Sequence, residues 1–162
     1  MRKVGGKGEQ PAETYYLCNM EIQIKTYAEL TTAELYEILR CRAEVFVVGQ
    51  NCVYQDLDGK DERSLHLFLA DGSEILSYLR VIAPPSAGAP ASIGRVLTVE
   101  RARRRGLSRR LMQRGIEVAK TLADTIEIDA QAYLVDFYRS LGFAVCSDEY
   151  LIDRLPHFRM KM

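Results

Sequence analysis

Long apolar runs are missing from this 162-residue chain. Nothing in it approaches the roughly 18 consecutive apolar residues of a membrane-spanning helix, so a soluble protein with no membrane partner is expected. Charge of one sign is missing too: 22 Lys and Arg balance 22 Asp and Glu, and the pI is about 6.7. No global field therefore recruits nucleic acid. The cysteines, Cys18, Cys41, Cys52 and Cys146, lack both the paired spacing of a metal site and the density of a disulfide framework, which predicts reduced thiols and a cytoplasmic location. Arg2 and Lys3 are not followed by an apolar core of signal-peptide length, so no secretory leader is expected.

What is present is a local concentration of charge on a helix entrance. Arginine stands at 101, 103, 104, 105, 109, 110 and 114, within the segment SIGRVLTVERARRRGLSRRLMQRGIEVAKTL of residues 92–122. An apolar strand, residues 93–99, leads through Arg103, Arg104, Arg105, Gly106, Leu107 and Ser108 into an amphipathic helix. Its apolar positions are Leu111, Gly115, Val118 and Leu122, widened by Met112, Ile116 and Ala119. Ser108 is the expected N-cap. A loop ending at a helix N-terminus aims unpaired N–H groups at one point, and the helix dipole adds positive charge there. Gly106 lets an anion approach the backbone and permits a positive φ. The turn reads as a phosphate site; a solvated helix face and an RNA-binding patch are its alternatives, the latter disfavoured because no aromatic platform is interleaved.

With 48% hydrophobic residues, the length fits one domain with a sizeable core. Residues 1–19 show little periodicity and read as a flexible tail; the domain is expected over residues 20–162. Strict alternation predicts a first strand at residues 21–27. Thr31 and Glu34 form a capping-box pattern ahead of a helix through Leu35, Ile38, Leu39, Arg42, Val45 and Phe46. Asp56, Asp58, Asp61 and Glu62 lack the full ligand spacing of a calcium loop, so a solvated acidic loop and no metal are expected. Residues 65–70 and 75–83 flank Asp71-Gly72, a hairpin dipeptide. A strand at residues 125–131, a short helix at 134–141 and strands at 143–146 and 157–162 complete a mixed α/β pattern.

The spacing Arg103-x-x-Gly106-x-Ser108 resembles the pyrophosphate-binding signature of the GNAT N-acetyltransferases. Gln131-x-x-Leu134-x-x-Phe137-Tyr138 followed by Gly142-Phe143 resembles a second element of that family. Residues 42–50, with Tyr54-Gln55-Asp56-Leu57-Asp58-Gly59, are similar to its ElaA-like branch. The resemblance covers about residues 20–162 and implies the GNAT fold, a central, mostly antiparallel mixed β-sheet flanked by helices. It implies direct transfer of an acetyl group from acetyl-CoA to a primary amine of a small molecule or peptide, without a metal, and a possible homodimer. A non-catalytic acyl-CoA-binding or protein-interaction module on the same fold is the alternative.

The resemblance assigns cofactor binding to Val96, Leu97 and Thr98 through their main chains, to Arg103, Arg104, Arg105, Gly106, Leu107, Ser108 and Arg109 at the turn, and to Gln131. A lysine-like amine, with a pKa near 10.4, must lose a proton before it attacks, so a base or water relay is needed. Tyr138 is the expected general acid toward the departing thiolate. His66, flanked by Leu65 and Leu67, has a structural role as its ordinary reading, although both it and His157 are candidates to reach the acceptor cleft. Glu44 and Asp129 are further candidate bases, and Cys52 has no flanking histidine to activate it.

Overall fold

The computed structural model describes residues 20–162; the tail expected at residues 1–19 lies outside them. Strand β1 (Gln23–Thr26) leads to helix α1 (Thr32–Arg42). The expected capping box is present: Thr31 Oγ1 accepts from the Glu34 amide at 3.1 Å, and the Thr31 amide donates to Glu34 Oε2 at 2.9 Å. Such a cap stabilises a helix by about 1 kcal/mol. The helix does not continue unchanged through Phe46 as the spacing predicts. It widens into a π-helical turn, Ala43–Val48, closed by the Gly49 amide on the Glu44 carbonyl at 2.8 Å. A Cβ at Gly49 would stand 2.9 Å from that oxygen, so the closure needs glycine's bare backbone.

Next come β2 (Ser64–Asp71), β3 (Glu74–Ile82) and β4 (Ala91–Thr98), an antiparallel meander whose first turn is Gly72 and Ser73, one residue past the expected pair, because Asp71 still pairs with Glu74. Helix α2 (Leu107–Lys120) follows, then β5 (Ile126–Gln131), the short α3 (Val135–Arg139), β6 (Ala144–Val145), β7 (Tyr150–Ile152) and β8 (Leu155–Lys161). The sheet order is β1-β2-β3-β4-β5-β8-β6, with β7 also on β8. Among the described residues, only β4 and β5 run parallel. The β7 strand carries no readable sequence signal, being three residues long with Leu151 exposed.

Helix α2 packs on β3 and β4 through Leu107, Leu111, Met112, Gly115, Ile116 and Ala119. The predicted stripe stops short, because the helix ends at Lys120 and Leu122 is exposed. Burying each of these large aliphatic side chains contributes roughly 1.5–3 kcal/mol, so this face anchors the helix start that the site uses.

The loop of residues 49–63 is not the solvated acidic loop expected. Asp56, Asp58 and Asp61 turn inward to Arg42, Arg80 and Arg95, which come from α1, β3 and β4. Arg42 Nε reaches Asp56 Oδ2 at 2.8 Å and its Nη1 reaches Asp61 Oδ1 at 2.7 Å; Arg95 Nε reaches Asp56 Oδ1 at 2.7 Å. Arg80 binds Asp58 with both terminal nitrogens. Burial opposes ionisation of Asp58 and Asp61 and is the largest single influence, but hydrogen bonds and charge from the arginines together outweigh it and hold both carboxyls below their ordinary range. Three guanidinium groups facing three carboxylates leave no net charge beneath the loop. Among the described residues, one buried side-chain donor, Arg80 Nε, has no partner.

Candidate active site

The opening in the sheet begins at an irregularity in β4. Arg80 pairs with Gly94 and Tyr78 with Leu97, so Leu79 faces both Arg95 and Val96. This is a β-bulge, which bends and twists its strand. Arg95 takes a left-handed conformation there, with φ 55°, and is held by Asp56 and by stacking over the Tyr54 ring. Beyond the bulge the parallel partner is lost: β4 and β5 pair only at Ala91 with Ile126 and at Ser92 with Glu127. Farther along, the edge of β4 has no strand partner among the described residues.

The free edge alternates. The Val99 amide donates to Leu76 of β3 at 2.9 Å, and the Leu97 carbonyl accepts from Ser77 Oγ at 2.8 Å, so Leu97 is turned to β3. By the strand's period, the main-chain groups of Val96 and Thr98 face the opening instead. Consistent with that, the Thr98 carbonyl accepts from Arg103 Nε at 3.1 Å.

The arginine-rich turn sits at the mouth of this opening. Gly106, with φ 77°, is the N-cap of α2, and a Cβ on it would meet nothing within 4 Å. Ser108 is therefore not the cap; the left-handed glycine starts the helix earlier and leaves the serine inside the first turn. Its hydroxyl lies 2.6 Å from Thr98 Oγ1, which lies 2.9 Å from Ser77 Oγ. Because Ser77 donates to a carbonyl, Thr98 donates to Ser77 and Ser108 to Thr98, so this proton is committed to the protein. The amides of Leu107, Ser108 and Arg109 have no intrahelical acceptor. The first turn carries no acidic residue to offset the dipole. Arg103, Arg104, Arg105 and Arg109 are exposed around it. The donor set, the room at Gly106 and the surplus positive charge fit a diphosphate.

Across the opening, Gln131 ends β5 and exchanges amide hydrogen bonds with Gln50 at 3.2 Å. With the two bulge residues Arg95 and Val96 sharing one step, the parallel register extended along both strands brings Gln131 level with Leu97. Tyr138 on α3 is 6% exposed, edge-on to Phe137 and Phe143. Burial, with a smaller contribution from Tyr133, pushes its phenol above the ordinary range, so it holds its proton at neutral pH. Its hydroxyl has no protein partner among the described residues and is not sealed from solvent. Arg109 joins the two helices: Nη2 donates to Ser140 at 2.8 Å, and the guanidinium stacks over Phe137.

Other candidates from the sequence are occupied. His66 is fully buried; Nε2 lies 3.0 Å from the Asp61 carbonyl, so it carries the proton, and Nδ1 accepts from Tyr78 Oη at 2.8 Å. Desolvation lowers its pKa, and the ring is structural. Glu44 is paired with Arg40 at 2.7 Å, and Asp129 with Arg159 and Tyr150. Cys52 points its thiol at the Asp153 carbonyl. No group of three or more His, Cys, Asp or Glu side chains is arranged for a metal among the described residues. Sequence reasoning missed Arg42, Arg80, Arg95 and Gln50. The available signal for Arg80 and Arg95 was a lone arginine inside each of two apolar strands.

Comparison with known proteins decides what family this opening belongs to. Residues 14–162 match the model of the acetyltransferase (GNAT) domain. The chain belongs to the GNAT acyltransferase family. It is 35% identical over 150 residues to a UPF0039 protein of Schizosaccharomyces pombe, covering 90% of this chain and 99% of that one. It is 34% identical to ElaA of Escherichia coli, covering 87% and 95%. The crystal structure of an acyl-CoA N-acyltransferase from Pseudomonas aeruginosa superposes with a TM-score of 0.82 at 37% identity, covering 88% of this chain and 99% of that one. The split between β4 and β5 and the exposed helix start beside it thus lie within a GNAT domain.

Proposed function

We propose that this GNAT acyltransferase takes acetyl-CoA as donor and a primary amine of a small molecule or peptide as acceptor. The observation that carries the reading is the set of unspent amides at Leu107, Ser108 and Arg109, capped by Gly106 and lying beside an unpaired strand edge. When bound, the donor supplies an activated thioester. In this reading the turn, with charge from Arg103, Arg104 and Arg105, holds the diphosphate. Val96 and Thr98 pair with the amide-bearing arm as an added strand would, and an amide on that edge stabilises the oxyanion. Gln131 lines the opposite wall, and Arg109 positions α3 so that Tyr138 gives its proton to the leaving sulfur.

Thiol release from acetyl-CoA, measured against polyamines, aminoglycosides, amino acids and peptides, tests this. Turnover with at least one amine is expected; none with any, together with no acetyl-CoA affinity, contradicts the reading. Tyr138→Phe is expected to lower kcat roughly 10- to 1,000-fold with acetyl-CoA affinity unchanged. An unaltered kcat removes Tyr138 from the chemistry.

A further inference from the structure

A base for the acceptor is still lacking in that scheme, and the carboxylates near the opening are already paired. His157 differs from them, and from His66, in having a ring nitrogen left over. Its Nδ1 lies 2.7 Å from the Leu155 carbonyl. A carbonyl only accepts, so in the neutral ring the proton sits on Nδ1 and Nε2 keeps its lone pair. That nitrogen has no protein partner among the described residues, yet it is not sealed from solvent.

The ring is also in the right place. His157 on β8 is the cross-strand partner of Gln131, and paired positions project to the same face. Gln131 is the residue that stands level with Leu97 across the opening, so the imidazole lies one strand beyond it. The Tyr150 ring on β7 stacks on the imidazole, with centroids 6.4 Å apart and planes 29° apart, which fixes its orientation. At 7% exposure, His157 is held rather than free to wander.

We propose that His157 Nε2 is the general base that deprotonates the acceptor amine, directly or through one water. The inference rests on the acyl-transfer reading above. Nε2 removes one proton from the bound ammonium and later releases it to solvent. The exposed nitrogen pair forms the C–N bond, and the C–S pair leaves on sulfur. Tyr138 protonates the sulfur and is itself reprotonated by the second proton that nitrogen sheds.

The chain has two histidines, which makes the test direct. A long-range proton–nitrogen spectrum should show opposite tautomers: the proton on Nε2 for His66, and on Nδ1 for the ring that disappears in His157→Asn. A proton on Nε2 of His157 overturns the proposal without any activity measurement. Asparagine keeps an N–H donor for the Leu155 carbonyl and removes the base. His157→Asn should therefore keep its acetyl-CoA Kd within two-fold while thiol release, with the best amine of the panel, falls about 100-fold or more. Wild-type turnover in that variant overturns the role of His157 and leaves acyl transfer standing; a wild type that binds no acetyl-CoA overturns the underlying reading. Should His157→Asn fail to fold, His157→Gly with added imidazole decides: partial recovery of rate supports the base, and no recovery overturns it.

Discussion

Arg42 and Arg80, with 0% and 2% exposure, face carboxylates of their own chain, whereas Arg103 and Arg104 stand exposed where α2 begins. The residue type is the same and the surroundings are opposite. Beneath the loop, every guanidinium has an aspartate opposite it, because a buried charge without one is too costly to keep. At the helix start, Arg104 has no partner among the described residues, and Arg103 touches only the Thr98 carbonyl through Nε. Charge neutralised at home shapes a wall; charge left over at a helix dipole attracts an anion from outside. Comparing the two clusters, it is the available counter-charge that separates a structural arginine from a binding one.

The sharpest way to break that distinction is to remove an arginine from each cluster. Arg42→Met leaves three largely buried carboxylates with two guanidinium groups and should cost about 3–5 kcal/mol of stability, read from urea unfolding, while the folded fraction keeps its acetyl-CoA affinity. Arg103→Ala and Arg104→Ala should each leave stability within about 0.5 kcal/mol. Each should weaken acetyl-CoA binding roughly five-fold, an effect that shrinks as salt is added. Equal stability losses in both clusters would erase the contrast.

Acid should find the buried cluster first. Asp58 and Asp61 have folded-state pKa values held below the unfolded value near 3.9. Their contribution is therefore complete above that value and is lost as pH falls through it toward the lower folded pKa. Unfolding free energy measured from pH 5 down to pH 3 should decline in the wild type and decline less steeply in Arg80→Met. The smallest effect on binding is expected at the junction between sheet and helix. Ser108→Ala should cost about 1 kcal/mol of stability, by removing the donor to Thr98, and leave acetyl-CoA affinity almost unchanged, since that hydroxyl's proton is already committed to Thr98. A ten-fold loss of affinity there would mean that the serine contacts the ligand.

Much of the fold was readable because its signals are local. The α2 face follows from apolar spacing, the α1 start from Thr31 and Glu34, and the β2–β3 hairpin from Asp71-Gly72. The helix start was readable to within two residues; glycine at 106 and serine at 108 are both acceptable caps, and only the backbone dihedral chooses between them. The Arg95 bulge and the aspartate partners of Arg42, Arg80 and Arg95 were not readable. Those pairs lie 14 to 39 residues apart, and an arginine in an apolar strand announces burial without naming its partner. His157 was visible as a candidate, but the hydrogen bond that fixes its tautomer required coordinates.

The most direct measurement is a titration with acetyl-CoA, following thermal unfolding of the wild type, Gly106→Ala and Gly106→Glu. At 100 times its Kd the ligand should stabilise the wild type by about 2.7 kcal/mol. Gly106→Ala carries the strain of a side chain at φ 77° without a charge and serves as the control. Gly106→Glu should remain folded yet show almost no ligand-dependent shift, because its carboxylate occupies the ground where amides and arginines await an anion. A Gly106→Glu protein stabilised as strongly as the wild type would contradict the account.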